Sequence, residues 1–342
     1  MPPGARATIL GAAPTGPGPS GRSATSPSPI ASVLATTVPT DHSSPAGDSA
    51  GTQPSAGLRV TCWGTRGSIP SPGPATARFG GNTPCVEVRV PDGRRHVFDA
   101  GTGIRLLGNR LAERTSPLGL DLFLTHFHWD HIQGLPFFAP IHDPDTSIRI
   151  HGARQEGQDI ETILRRQMSP VHFPVPYETL AARLHFEHLS GRAWQEVGAE
   201  VAAYRVRHPA DTYGYRIRAD GAAVAYIPDN ELVGGHYAVD GPDWYPGLLR
   251  FLEGVDVLFH DAMFTDDEYP QVEGWGHSTF LQAVRLAEDA GVGRLCFFHH
   301  APDRSDADLD RILDGIREEL HRRGSSLRVA AAAEGETLVV DA

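Results

Sequence analysis

Residues 120–134, LDLFLTHFHWDHIQG, run an apolar strand directly into His126, His128, Asp130 and His131, four metal-ligating side chains within six positions. Burying that many imidazoles with an unpaired carboxylate is costly unless a cation compensates them. A solvated polar loop does not fit, because apolar residues bound the cluster on both sides, with IQGLPFFAP following it. The HxHxDH spacing suits two ions. His126 and His128 lie two apart in an extended segment, project to one side and can share one ion. Asp130 and His131 open the next helix and can turn toward a second ion, with the helix N-terminus favouring an anion nearby. Any fold of this chain must therefore end a buried strand at a cation site.

Charge and composition narrow the classes of function. The net charge of −12 argues against a general binder of nucleic acid or membrane surfaces, since phosphates are repelled on average, although it leaves room for a local basic patch. Every basic residue is arginine, so Schiff-base and P-loop lysine chemistry is unavailable. Cys62, Cys85 and Cys296 are far apart and in no CxxC spacing; they read as small buried residues of a reducing, cytoplasmic compartment. No apolar run approaches the roughly 20 residues that span a bilayer.

Residues 1–57 are dominated by Pro, Ser, Ala, Gly and Thr and lack periodic apolar positions, so they read as a disordered tail that cannot offset its ordering entropy. The folded domain spans 58–342. LRVTCW predicts its first strand, followed by a Gly/Pro/Ser loop over 64–81. CVEVRV and RHVFDA predict a hairpin across PDG, and 104–114 a helix. Strands follow near 147–151, 183–187, 200–206, 213–219 and 222–227, the last pair joined by a DG turn, with a helix at 157–167. After residue 245 the pattern alternates: helix, strand DVLFH, helix 278–290, strand RLCFF, helix 306–322 and two short strands. Two strand-rich halves, each followed by helices, suggest an α/β fold of two packed sheets with helices outside.

HxHxDH after a buried strand resembles the signature of the metallo-β-lactamase superfamily, and the resemblance covers residues 58–342. It implies an αββα sandwich with metals at one edge. FDAGTG (98–103), RHPADTYGYRI, AYIPDNE, HDAMF (260–264), GWGHST and LCFFHHAP are similar to the phosphodiesterase and ribonuclease Z-like branch. By that resemblance, His208 completes the first metal site, Asp229 bridges both ions, and His299 or His300 completes the second, the apolar strand favouring His299. His277, in GHST, corresponds to a proton donor beside the scissile phosphate. The chain has Asp261 where the family usually carries Glu, so a partnership of that position with His277 does not follow from the resemblance. Each residue also has a structural reading: His208 can simply end a strand, Asp229 can be a turn residue, and His277 can neighbour a helix cap at Ser278. Of the remaining histidines, His172 stands out, because QMSPVHFPVPYE can form a pocket-lining loop.

Ligand types separate the branches. The β-lactamases proper place a cysteine where this chain has Asp229, flavodiiron enzymes replace the second histidine, which here is His128, and glyoxalase II-like thioesterases bind glutathione with lysines. What remains is the phosphodiesterase branch, with lactonases nearby. The interval 131–208 contains no Gly/Pro/Lys-rich insertion of the kind that forms a tRNA-gripping arm, so the resemblance favours a small phosphodiester over nucleic acid. Two Zn²⁺ ions per chain, with Mn²⁺ or Fe²⁺ as alternatives, would activate a bridging hydroxide. Asp130 would orient it or take its proton, and His277 would protonate the leaving alkoxide. Arg66, in TRGSIP, reads either as a substrate contact or as a solvated loop residue. A lactonase, a tRNA 3′-processing-like endonuclease and a non-hydrolytic metal sensor are the competing readings. The sequence does not fix the oligomeric state, and a homodimer stays open.

Deleting residues 1–56 should leave folding, metal content and activity unchanged. Aggregation of the truncated protein, or loss of its metal, would show instead that this segment packs on the domain.

Overall fold

The computed structural model describes residues 57–189, 193–196 and 198–341. The segment 1–56, expected to be disordered, lies outside the described residues. The first half supplies β1 (Leu58–Gly64), β2 (Cys85–Arg89), β3 (Arg95–Phe98), α1 (Gly103–Ala112), β4 (Leu118–Phe123), α2 (Trp129–Ile132), β5 (Thr146–Gly152), α3 (Ile160–Gln167) and β6 (Arg183–His188). The second half supplies β7 (Ala193–Glu196), β8 (Ala199–Val206), β9 (Thr212–Ala219), β10 (Ala222–Ile227), α4 (Trp244–Leu252), β11 (Val257–Asp261) and α5 (Phe280–Asp289). It ends with β12 (Arg294–Phe298), α6 (Asp306–Arg322), β13 (Arg328–Ala331) and β14 (Thr337–Val340).

These strands form two seven-stranded sheets, ordered β14-β1-β2-β3-β4-β5-β6 and β13-β12-β11-β10-β9-β8-β7. Each is antiparallel in one part and parallel in the other: β3 to β6 run parallel in the first, β10 to β13 in the second. The sheets face each other through a layer that includes Val60, Val86, Phe98 and Phe123 from one and Val201, Tyr215, Tyr226 and Phe298 from the other. The outer face of the first sheet is covered by α1 and α3 through Ile104, Leu107, Ile160 and Leu164. That of the second is covered by α4, α5 and α6 through Leu248, Val284, Leu309 and Leu313. This is the αββα sandwich. Strands buried on both faces explain the near-continuous apolar runs of β4, β10 and β12. Cys62 and Cys296 lie in the layer between the sheets, Cys85 beneath α1, and all three are buried thiols.

Local chemistry sets the boundaries. Asp220 (φ 47°) and Gly221 (φ 86°) both take the left-handed conformation that a two-residue hairpin turn between β9 and β10 requires. The helix expected over 157–167 starts only at Ile160. Gly157 has a positive φ of 77°, and Asp159 caps the helix by accepting the Thr162 N–H at 2.8 Å. Helix α5 is capped by Thr279, not by Ser278, through a reciprocal pair of bonds with Gln282. Among the described residues no helix is long and apolar enough to cross a membrane.

The loop after β1 corrects both readings of Arg66. Its side chain is neither solvated nor turned to a substrate but fully buried, at 0 % exposure. The guanidinium donates to the carbonyl oxygens of Gly80 (2.8 Å), Ala301 (3.0 Å) and Arg304 (2.8 Å), tying the loop after β1 to the one after β12. Five donors in a rigid fork suit such a cluster of carbonyls, and a lysine cannot reproduce it. Arg66→Ala, leaving those carbonyls unpaired, should lower stability by about 2–4 kcal/mol in chemical denaturation. A loss within experimental error would mean that water replaces the fork at no cost.

Candidate metal centre

The chemistry-bearing residues leave the C-terminal ends of the strands at one edge of the sandwich, where open α/β sheets place their ligands. Asp99 follows β3, His126 and His128 follow β4, His208 follows β8, Asp229 follows β10, Asp261 ends β11 and His299 follows β12. His126 Nε2 and His208 Nε2 lie 2.9 and 3.1 Å from His128 Nδ1, so three ring nitrogens converge on one point. A second group forms alongside. His131 Nε2 and His299 Nε2 lie 3.3 and 3.1 Å from Asp130 Oδ2. Asp229 stands between the two groups: its Oδ1 is 3.0 Å from His131 Nε2, and its Oδ2 is 3.8 and 3.7 Å from His126 and His208 Nε2. All seven predicted ligands are thus brought together. His300 is turned away, its Nε2 bonded to the Ala332 carbonyl at 2.9 Å.

These side chains fit a pair of cations. His131 Nε2 and Asp229 Oδ1 are buried, face each other and have no hydrogen-bond partner, an arrangement that is costly unless something positive lies between them. Imidazole nitrogens with bridging carboxylates suit zinc and its first-row neighbours. Burial lowers the pKa of His126 well below the imidazole range, and that of His208 to about 3, so both present lone pairs at neutral pH. Burial opposes the charge on Asp130 and Asp229, but the surrounding histidines, His131 foremost, hold both carboxyls well below their ordinary range. The converse holds for His131, where the carboxylates of Asp229, Asp130 and Asp99 outweigh burial and raise its pKa. The site demands positive charge, as a proton or as a metal.

Three of the ligands are steered from behind by partners that motif reading did not assign. Asp99, in FDAGTG, holds His131 Nδ1 at 2.8 Å. The Gly276 carbonyl accepts from His208 Nδ1 at 2.9 Å, and the Ser68 N–H donates to Asp130 Oδ2 at 2.8 Å. Such partners fix ring tautomer and orientation. Two glycines make the approach possible. A Cβ on Gly67 would lie 2.3 Å from the His299 ring, and one on Gly276 would lie 2.2 Å from His208 Nδ1. Glu231, fully buried, accepts the N–H groups of Gly274 (2.8 Å) and Gly276 (3.0 Å) and the hydroxyls of Tyr237 and Tyr269, so it sets the loop that leads to His277. Among the described residues, five non-glycines have positive φ, and three of them serve this centre: Ser68, Asp99 and His299. Backbone strain is concentrated where ligands must be aimed.

His277 sits at the rim of the same pocket, its ring stacked on His299 with centroids 4.8 Å apart. The resemblance alone did not pair it with Asp261, but Asp261 Oδ2 lies 2.8 Å from His277 Nδ1. Burial disfavours an imidazolium, yet the Asp261 carboxylate and the more distant Asp229 and Asp130 push the His277 pKa up to about 9. Two sequence expectations fail here. Helix α2 is a single turn of four residues, too short to supply the N-terminal field expected beside Asp130. His172 is exposed, pairs with Ser169, and is not among the residues lining the pocket. The pocket holds about 470 Å³ and is walled by His128, Asp130, Asp229, His277 and His299, with Trp129 79 % exposed at its lip.

Residues 94–300 match the β-lactamase superfamily domain. The chain is 27% identical to ribonuclease Z of Haloferax volcanii over 303 residues, 76% of this chain and 90% of that protein. Two solved structures share its fold. A diphosphatase from the PhnP family superposes with a TM-score of 0.57 at 21% identity, over 82% of this chain and 97% of its own. The short form of human tRNase Z gives 0.55 at 20% identity, over 82% and 98%. The fold implies divalent metal binding, and the His/Asp groups are clustered closely enough to hold such ions. The chain belongs to the metallo-β-lactamase superfamily, in its ribonuclease Z-like branch, and is a hydrolase.

Proposed function

We propose that the protein is a dinuclear zinc phosphodiesterase that hydrolyses a small phosphodiester. The observation that carries this reading is the Asp261–His277 pair, a buried carboxylate holding an imidazole at the rim of the metal-site pocket. His126, His128 and His208 would hold one ion, Asp130, His131 and His299 the other, and Asp229 would bridge them. When bound, the ions would supply Lewis acidity for the phosphoryl oxygens and lower the pKa of the attacking water. Asp130 stays ionised and accepts the hydrogen bond, then the proton, of the attacking water. As the water oxygen forms its bond to phosphorus, the bond to the departing oxygen breaks with its electron pair, and His277 delivers a proton to that oxygen. Asp261 keeps His277 charged until the transfer and holds the remaining proton on Nδ1 after it. The products are a phosphomonoester and an alcohol.

The 27% identity to a ribonuclease Z supports a second reading, tRNA 3′ processing. Against it stand the net charge of −12 and a metal-site pocket with no arginine among the described residues of its wall. Cleavage of precursor tRNA faster than a chromogenic phosphodiester would reverse the preference. A lactonase would be recognised by turnover of a lactone in preference to both.

Two measurements test the mechanism. Elemental analysis after reconstitution with excess zinc should give two ions per chain, with the ion at His131 lost first on acidification, because a proton competes there while His126 and His208 stay unprotonated well below the imidazole range; one ion or fewer removes the dinuclear reading. His277→Ala should keep both ions and lower kcat by about 10²–10⁴-fold on a diester with a poor leaving group, but far less on a nitrophenyl ester. In the unmodified enzyme, the rate on the poor leaving group should fall as pH rises through about 9, where His277 gives up its proton. Equal losses on both substrates, with metal retained, would make His277 a structural residue.

A further inference from the structure

The pocket at the metal centre continues into two clefts of different character. One, of about 460 Å³, is lined by Met263, Phe264, Val272, Trp275 and Arg304 and shares Ser68 with the metal-site pocket. The other, of about 650 Å³, is lined by Gln155, Glu156, Gln158, Arg166 and Asp211 and shares Phe127 and His128 with it. The clefts have no lining residue in common, so a diester at the centre has a different surface available for each of its two alcohols.

We propose that the cleft beside His277 is the leaving-group subsite and takes an uncharged, ring-bearing alcohol. This rests on the phosphodiesterase reading and adds to it the chemical class of one product. In an in-line displacement the departing oxygen faces the acid that protonates it, so the alcohol on that oxygen lies on the His277 side. The Phe264 ring stands edge-on to His277 with centroids 6.1 Å apart, and Trp275 stands 6.5 Å beyond it. Phe264 is also bonded through its main chain to Ser278 and Phe280, so this wall moves with the acid. Trp275 is 61 % exposed, which leaves its ring open as a stacking face. Charge selects against a second phosphate. Arg304, the cation of this cleft, is committed to Glu268 and the Met263 carbonyl, and Glu268 and Asp303 present carboxylates. The other cleft offers one aromatic ring, Phe127, among amides, carboxylates and the Arg166 guanidinium.

A diester carrying one phenyl and one hexafluoroisopropyl group tests this, because its two alcohols are of similar acidity and only one is a ring. The ratio of phenol to fluoroalcohol released from one substrate is independent of how much enzyme is active. The zinc-loaded enzyme should release phenol in about tenfold excess, and Trp275→Ala should move the ratio several-fold toward parity. An even ratio, an excess of fluoroalcohol, or a phenol excess that Trp275→Ala leaves unchanged overturns the subsite. So does turnover of a nitrophenyl phosphodiester without release of phenol from the mixed ester. Failure to cleave any of these diesters removes the phosphodiesterase reading itself, and the subsite with it.

Discussion

The buried carboxylate of Asp99 joins the two halves of the sandwich and the metal centre in a single interaction. It accepts the Thr125 N–H at 2.8 Å and the Tyr226 hydroxyl at 3.0 Å, and it holds His131. Tyr226 belongs to β10 of the second sheet, whereas Asp99 and Thr125 follow strands of the first. Burial and the neighbouring Asp99 charge raise the Tyr226 pKa, so its hydroxyl remains a donor. An ionised carboxylate has roughly four acceptor sites, and here nearly all are used. Docking the sheets therefore completes the same network that aims His131, and closure of the core and orientation of a ligand are one event.

Aiming by outer partners recurs around the centre. His208 answers to a carbonyl, Asp130 to a main-chain N–H, and His277 to a carboxylate. Two of these partners lie in loops bent into positions only glycine allows, and those loops are fixed by Arg66 and by Glu231. The ligands are thus pre-set by hydrogen bonds that need no metal. The orientation of these ligands is already set by the fold, so a cation arriving later supplies the missing positive charge and has little left to organise.

What could be read beforehand were features with a local cause. The apolar run of β4, the alternation of helices with strands and the DG turn each follow from neighbouring residues, and the HxHxDH group sits where its strand ends. The partners were hidden because they are non-local. Asp99 lies 32 positions before His131, and Gly276 lies 68 beyond His208. No periodicity marks a polar residue in a loop, so Arg66 read as loop chemistry although it is a buried tie. The Asp261–His277 pair forms because both residues sit where β11 and the approach to α5 come together, at a separation a short carboxylate spans. That separation is set by the packing of the two elements and leaves no trace in the motif.

The three thiols give the chain a built-in gauge of its own opening. Cys62 lies on β1 of one sheet and Cys296 on β12 of the other, both in the layer between the sheets, whereas Cys85 lies under the helical cover of the first. Burial raises all three thiol pKa values, so a thiol-reactive dye meets neither an accessible nor an ionised sulfur while the sandwich is closed. Their relative labelling rates would distinguish sheets that part as rigid plates from a helical layer that peels away first, without any engineered probe.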